Sequence, residues 1–272
     1  MQQFSISPKE LVASLVHNRG LILTMTKREV IGRYRGSVMG ILWSFFNPLF
    51  MLAVYTFVFS IIFRARWDTG SDSKTEFALI LFAGLIVFNV FAECANRGPN
   101  TILANVNYVK KVVFPLEILP WVTLGSVLFH AAISTLVWLI GYLVFFGIPH
   151  STVLLFPIAI IPLLLFTMGV SWALASLGVY LRDVSQVVVI VTTVLMFLSP
   201  IFYPITAIPA RIRPILLLNP LAPSIAQARD LLFFGRMPSL LIWFVSLVVA
   251  SIIAWLGFAW FQKTRKGFAD VL

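Results

Sequence analysis

The chain has 272 residues, 60% hydrophobic and only 11% charged, with a formal net charge of +10; its mean hydropathy is +0.98. A water-soluble domain is about a quarter charged, so this composition excludes one and indicates an integral membrane protein. Nucleic-acid binding is excluded as the reason for the positive charge, because the bases stand beside apolar runs, where anionic lipid headgroups and membrane orientation account for them.

At the N-terminus Ser7-Pro8-Lys9-Glu10 reads as a capping box with proline in the first turn. Leu11, Val12, Leu15 and Val16 line one face, and Asn18-Arg19-Gly20 reads as the stop. A second amphipathic piece over 21–35 carries Lys27, Arg28, Arg33 and Arg35. Residues 1–37 are thus expected to form an amphipathic segment on the cytoplasmic membrane surface. The run 38–63 is uncharged; as a helix it would rise about 39 Å, enough to span roughly 30 Å of hydrocarbon with some tilt. It lies too deep and is too long for a cleavable signal, so it is expected to insert the chain and remain in it.

A polar outer loop over 64–76 leads to a second span over 77–96 with a polar inner end. Asn89, Glu93 and Asn96 share one face at i, i+4 and i+7, and Arg97 stands i+4 from Glu93, a cluster that does not face lipid. It reads either as a structural ion pair or as the coupling site of a proton-driven carrier. Residues 98–115 form a cytoplasmic loop with room for a short helix. The third span, 121–146, carries Thr123, Ser126, His130 and Ser134 on one face. A turn at 147–151 sets the fourth span, 152–180, antiparallel to it, with Gly169, Ala173 and Ser176 for close approach.

The fifth span is short, 187–199. Pro200, Pro204, Pro209, Pro214, Pro220 and Pro223 then punctuate a stretch that is too apolar for a solvated loop and too broken for a spanning helix. Two re-entrant outer helices are expected within 204–236, the second over 224–234 ending at Gly235. The last span, 239–261, bears the stripe Ser246, Ala250, Ala254 and Gly257, and 262–272 is a basic tail. The fold expected is a single all-α membrane domain, its membrane core over 38–261. Its six spans leave both termini cytoplasmic, the side where most Lys and Arg fall.

No GxxxxGK[ST] loop, serine–histidine–acid set or histidine metal pair occurs. The 10 acids are scattered singly. No catalytic residue and no metal site is assigned, and Cys94, the one cysteine, excludes an internal disulfide.

Arg28-Glu29-Val30, Arg33-Tyr34-Arg35, Ser37, Gly40, Leu42-Trp43 and Asn47-Pro48-Leu49 together resemble the N-terminal signature of membrane subunits of ABC exporters that move polysaccharides. Residues 105–120 (NVNYVKKVVFPLEILP), Asn219-Pro220-Leu221 with Arg229, and Arg265 to Asp270 are similar to the same family, in the same order. The resemblance implies a homodimeric permease driven by two separate ATP-binding subunits, which would hold the ATP and magnesium; no cofactor is expected on this chain. It also implies a coupling helix within 105–114, with Asn105, Tyr108, Lys110 and Lys111 meeting the ATPase, and outer gate helices over 205–234. The substrate implied is a lipid-linked glycan such as O-antigen, capsule or teichoic acid, crossing the bacterial inner membrane.

Two aromatic arcs, Trp43, Phe46, Phe50 and Phe57 on the first span and Phe77, Phe88 and Phe91 on the second, are candidates to line the channel, where rings would stack on sugars without fixed register. Ordinary packing or lipid contact explains such arcs equally well. Arg28, Arg33 and Arg35 are candidates to hold an anionic lipid headgroup. Arg211, Arg213 and Arg229 are candidates to close the outer mouth, or to anchor at outer-leaflet phosphates.

Overall fold

The computed structural model describes residues 5–58, 74–110, 114–204, 211 and 219–272, and the regular elements among them are all helical. Helix α1 (Pro8–His17) starts where the Ser7 hydroxyl accepts the Lys9 N–H at 3.1 Å. It ends at Asn18, whose backbone and side-chain amides both donate to the Ser14 carbonyl. With α1 already capped, Gly20 lies inside the first turn of α2 (Arg19–Arg33) rather than in the stop.

Helix α2 packs on a neighbour. Ile22 clusters with Ile118 and Val122, the Thr26 hydroxyl donates to the Val122 carbonyl at 3.5 Å, and Tyr34 reaches His130. These pairings advance together, so α2 runs parallel to the first half of α7 (Leu119–Phe146). Gly125 permits the approach, since a Cβ there would stand 2.7 Å from Thr26 Oγ1.

Among the described residues, five stretches are long and apolar enough to cross a membrane: Gly40–Val58, Thr75–Arg97, Leu116–Phe146, Ser151–Tyr180 and Leu240–Val271. They contain α3 (Trp43–Tyr55), α4 (Lys74–Arg97), α7, α8 (Phe156–Ala159) with α9 (Ile161–Tyr180), and α12 (Leu240–Thr264) with α13 (Phe268–Val271). The expected fifth span is the shorter α10 (Val184–Leu198). Its 15 residues rise about 22 Å, less than the hydrocarbon thickness of roughly 30 Å. Ser199 takes an extended conformation ahead of Pro200 and stops it.

Helix α4 is the axis of the bundle, with α3, α7, α9, α10 and α11 (Ala222–Arg229) packed around it. A helix apolar on every side belongs in such a position. Between Phe77 and Phe91 the one exposed residue is Asn89. Phe77, Phe88 and Phe91 are buried in the core, and Phe91 stacks on Phe166 at 5.6 Å. The expectation that these three rings line a channel is therefore corrected: their common arc is filled by neighbouring helices.

The small residues of α9 do not meet α7, as the short turn implied; they meet α12, in the most extensive helix contact among the described residues. The two run parallel, with Gly169 against the backbone of Ile253 and Gly257, and Ser176 Oγ 2.7 Å from Thr264 Oγ1. After the break, α11 continues into a wide turn, Asp230–Phe234, which stops at Gly235 with φ 65°. That agrees with the helix expected over 224–234. The first re-entrant helix falls almost wholly on 205–210 and 212–218, outside the described residues.

Candidate functional site

A cavity of about 760 Å³ opens between α3, α4, α7 and the end of α2. Asn89, Glu93, Asn96 and Arg97 all line it, so the face expected from their spacing is real. Glu93 does pair with Arg97, at 3.5 Å, but its closer partner is Arg33 at 2.6 Å. Arg97 in turn forms a short ion pair with Glu29. Two arginines and two glutamates thus join the end of α2 to the C-terminal end of α4. Their side chains are 26–48% exposed, so each contact contributes about 1 kcal/mol or less, and the group acts as a neutral strap rather than a buried charge.

Arg33, expected on a lipid headgroup, pairs with Glu93 while its side chain stays 48% exposed. Arg28 and Arg35 remain exposed and, with Lys27, line a separate shallow groove of about 800 Å³. The Tyr34 hydroxyl lies 3.3 Å from His130 Nδ1. Burial raises the Tyr34 phenol above its ordinary value, with Arg33 opposing and Glu93 adding to the rise. Asn96 accepts the Thr192 hydroxyl at 2.9 Å, tying α4 to α10.

Below this cavity a smaller one, about 440 Å³, separates α2 from the connecting segment and reaches Arg28, Glu29, Arg97, Asn105 and Tyr108. The segment folds as α5 (Asn100–Leu103) and α6 (Val106–Val109), with the Asn105 amide donating to the Thr101 carbonyl at 2.9 Å. Tyr108 stacks on Phe114 at 4.2 Å, and Lys110 is exposed. Lys111 lies outside the described residues.

At the opposite end of the bundle the structure changes the reading of Arg229. It is 5% exposed; its guanidinium donates to the carbonyls of Ile80 at 3.1 Å, Ile201 at 2.5 Å and Pro200. That is a clamp across the break after α10, not a group free to close a mouth. Arg211 is exposed, and Arg213 lies outside the described residues. Of the first aromatic arc, Trp43 and Phe50 are exposed on α3, Phe57 is exposed just beyond its end, and Phe46 stacks on Phe50 at 6.1 Å.

Residues 20–233 match the ABC-2 type transporter family. The chain belongs to that family. It is 28% identical over 262 residues to the O-antigen export system permease protein RfbA of Myxococcus xanthus, covering 96% of this chain and 98% of that one. A protein of the same name from Klebsiella pneumoniae is 29% identical over 256 residues, covering 93% of this chain and 95% of the relative.

The physical work of the signature stretches of this ABC-2 chain is now visible. Glu117 accepts from Arg265 at 2.5 Å and from the Ser14 hydroxyl at 3.2 Å, and Arg265 also donates to the Phe114 carbonyl at 2.8 Å. The stretch 105–120 and the tail are thus one joint, closed by Trp172 Nε1 donating to the Glu117 carbonyl at 3.0 Å. Both charges are about one-tenth exposed. Removing one partner of a buried pair costs about 3–5 kcal/mol, mostly by stranding the other. Glu117→Gln and Arg265→Met are each expected to lower the Tm of the purified protein by several degrees. The double variant is expected to lose less than the sum, and additive shifts would show that the two do not act as a pair.

Proposed function

We propose that this ABC-2 chain is the permease subunit of a transporter that exports a lipid-linked polysaccharide, an O-antigen first among candidates, across the bacterial inner membrane. The observation that carries the reading is the near full-length similarity to O-antigen export permeases. The working unit is a homodimer of six-span chains with cytoplasmic termini and re-entrant outer segments, bound to two ATPase subunits that hold ATP and magnesium. Asn105, Tyr108, Lys110 and Lys111 dock on the ATPase. Motion there passes through the 440 Å³ junction to the Glu29–Arg97–Glu93–Arg33 strap and so to α2 and α4.

Arg28 and Arg35 hold the anionic headgroup at the inner interface through charge-assisted hydrogen bonds. Trp43, Phe46, Phe50 and Phe57 face the passage between protomers, where stacking lets sugars slide. Arg211 and Arg213 stand at the outer mouth. The proton-coupled carrier is less favoured, because Glu93 is paired with two arginines in a chain that belongs to the ABC-2 family.

Deleting the chain is expected to abolish surface polysaccharide while lipid-linked intermediates accumulate. Tyr108→Ala with Lys110→Ala is expected to lower glycan-stimulated ATPase activity about tenfold at normal membrane levels, on the scale of losing one interface hot spot. Full export by the purified chain without an ATPase would return the carrier.

A further inference from the structure

We infer that the cavity between α3, α4 and α7 is a binding subsite for an uncharged sugar ring of the exported glycan, with Asn47, Asn89 and His130 as its polar contacts and Trp43 as its stacking surface. The inference rests on the export reading and names a site within it.

The first observation is Asn89. Helix α4 is packed on all sides through its middle, yet it exposes this one amide, and it does so into the cavity. Asn89 stands eight residues from the inner end of α4, about 12 Å into the span. A carboxamide facing hydrocarbon there would forfeit its hydrogen bonds. Asn47, likewise exposed, lines the opposite wall from α3. Neither amide has a hydrogen-bond partner among the described residues.

The second observation is His130. One ring nitrogen, Nδ1, faces the Tyr34 hydroxyl at 3.3 Å, and the other, Nε2, has no partner among the described residues and is shielded from solvent. A buried polar atom left unpaired costs about 1–3 kcal/mol, so it marks a group awaiting a partner. A sugar hydroxyl entering beside Ser134 would supply one.

The third observation decides the class of ligand. The charges bordering the cavity are Arg33, Glu93 and Arg97, and Glu29 completes them to a neutral set. Both arginines are engaged, so a phosphate would have to break ion pairs to bind. Amides, an imidazole, a hydroxyl and an aromatic ring are instead what a neutral pyranose needs, with hydroxyls at its rim and apolar C–H faces. The volume of about 760 Å³ falls within the range of small-ligand sites, roughly 300–1,000 Å³. The headgroup is then left to Arg28 and Arg35 on the outer side of the strap, one sugar site and one phosphate site being separated by α2.

The test uses the permease–ATPase complex in nanodiscs with decyl maltoside carrying a diazirine on its terminal glucose. Saturable labelling near Asn47 and Asn89 is expected, displaced by plain decyl maltoside and not by decyl phosphate. Asn47→Leu combined with Asn89→Leu should reduce labelling about tenfold, as for the loss of a pair of hydrogen bonds. His130→Leu should reduce it too, whereas His130→Gln, which keeps an N–H, should retain most of it, with membrane level and ATPase binding checking that each variant folds. Displacement by decyl phosphate, or labelling indifferent to these substitutions, overturns the subsite. Intact export in cells with an unlabelled cavity overturns the subsite alone; surface polysaccharide surviving deletion of the chain overturns the export reading beneath it.

Discussion

Gly169→Leu is expected to remove folded protein from the membrane almost completely, whereas Gly32→Ala leaves its amount unchanged. A Cβ at Gly169 would meet the carbonyl of Ile253 with its carbon 2.6 Å away, and a Cβ at Gly257 would meet the Gly169 carbonyl in return. Both obstacles are backbone in the middle of long helices, which cannot swing aside as a side chain can. Helices α9 and α12 would have to separate along a contact that runs from Gly169 to the Ser176–Thr264 hydrogen bond. In lipid this contact has no hydrophobic drive to restore it, because tails solvate the parted faces as well as they solvate each other. Overpacking a soluble core costs about 1–3 kcal/mol, and a backbone clash at a close crossing exceeds that. At Gly32 a Cβ meets nothing within 4 Å, so alanine there only improves helix propensity. Size-exclusion profiles of a fluorescent fusion in mild detergent separate the outcomes; a monodisperse, normally abundant Gly169→Leu protein would mean that the α9–α12 crossing is not needed for folding.

The features legible in the sequence are those set by neighbours in the chain. Ser7-Pro8 starts α1 and Gly235 ends the outer helical segment because caps and positive φ are local requirements. The polar face Asn89, Glu93, Asn96 follows from helix periodicity alone. Its partners do not: Glu29 and Arg33 arrive from α2, which lies alongside only because Thr26 fits against Gly125. A helical wheel likewise shows that Phe77, Phe88 and Phe91 share an arc, but not that other helices cover it. The stripes at Gly169 and Gly257 were readable as close-packing faces, yet the short turn at 147–151 pointed to α7 as the partner of α9. Chain proximity fixes antiparallel order, whereas the depth of packing follows from two small-residue faces finding each other. Arg229 shows the same limit, since hydropathy places it near the outer side without telling whether it faces water or backbone.

That arginine supports the second large effect. Arg229→Met is expected to leave little folded protein, and Arg229→Lys only somewhat more. The guanidinium spans three carbonyls, Ile80 on α4 and Pro200 and Ile201 in the break after α10. Each carbonyl left without a donor costs about 1–3 kcal/mol. A lysine head is a single point with no fork and cannot serve all three sites. Asn219 braces the same break, donating to Ser199 Oγ at 2.8 Å and accepting the Leu221 N–H at 3.0 Å. Gly84 supplies the room: a Cβ there would stand 2.9 Å from Arg229 Nη2. Gly84→Leu should therefore reproduce the Arg229 phenotype from the other side of the contact. A surface gate would behave differently, because variants of an exposed arginine accumulate normally and change transport per molecule. Membrane abundance and Tm measured beside export thus separate the clamp from the gate. Normal abundance of Arg229→Met with altered export would place this arginine at the mouth after all.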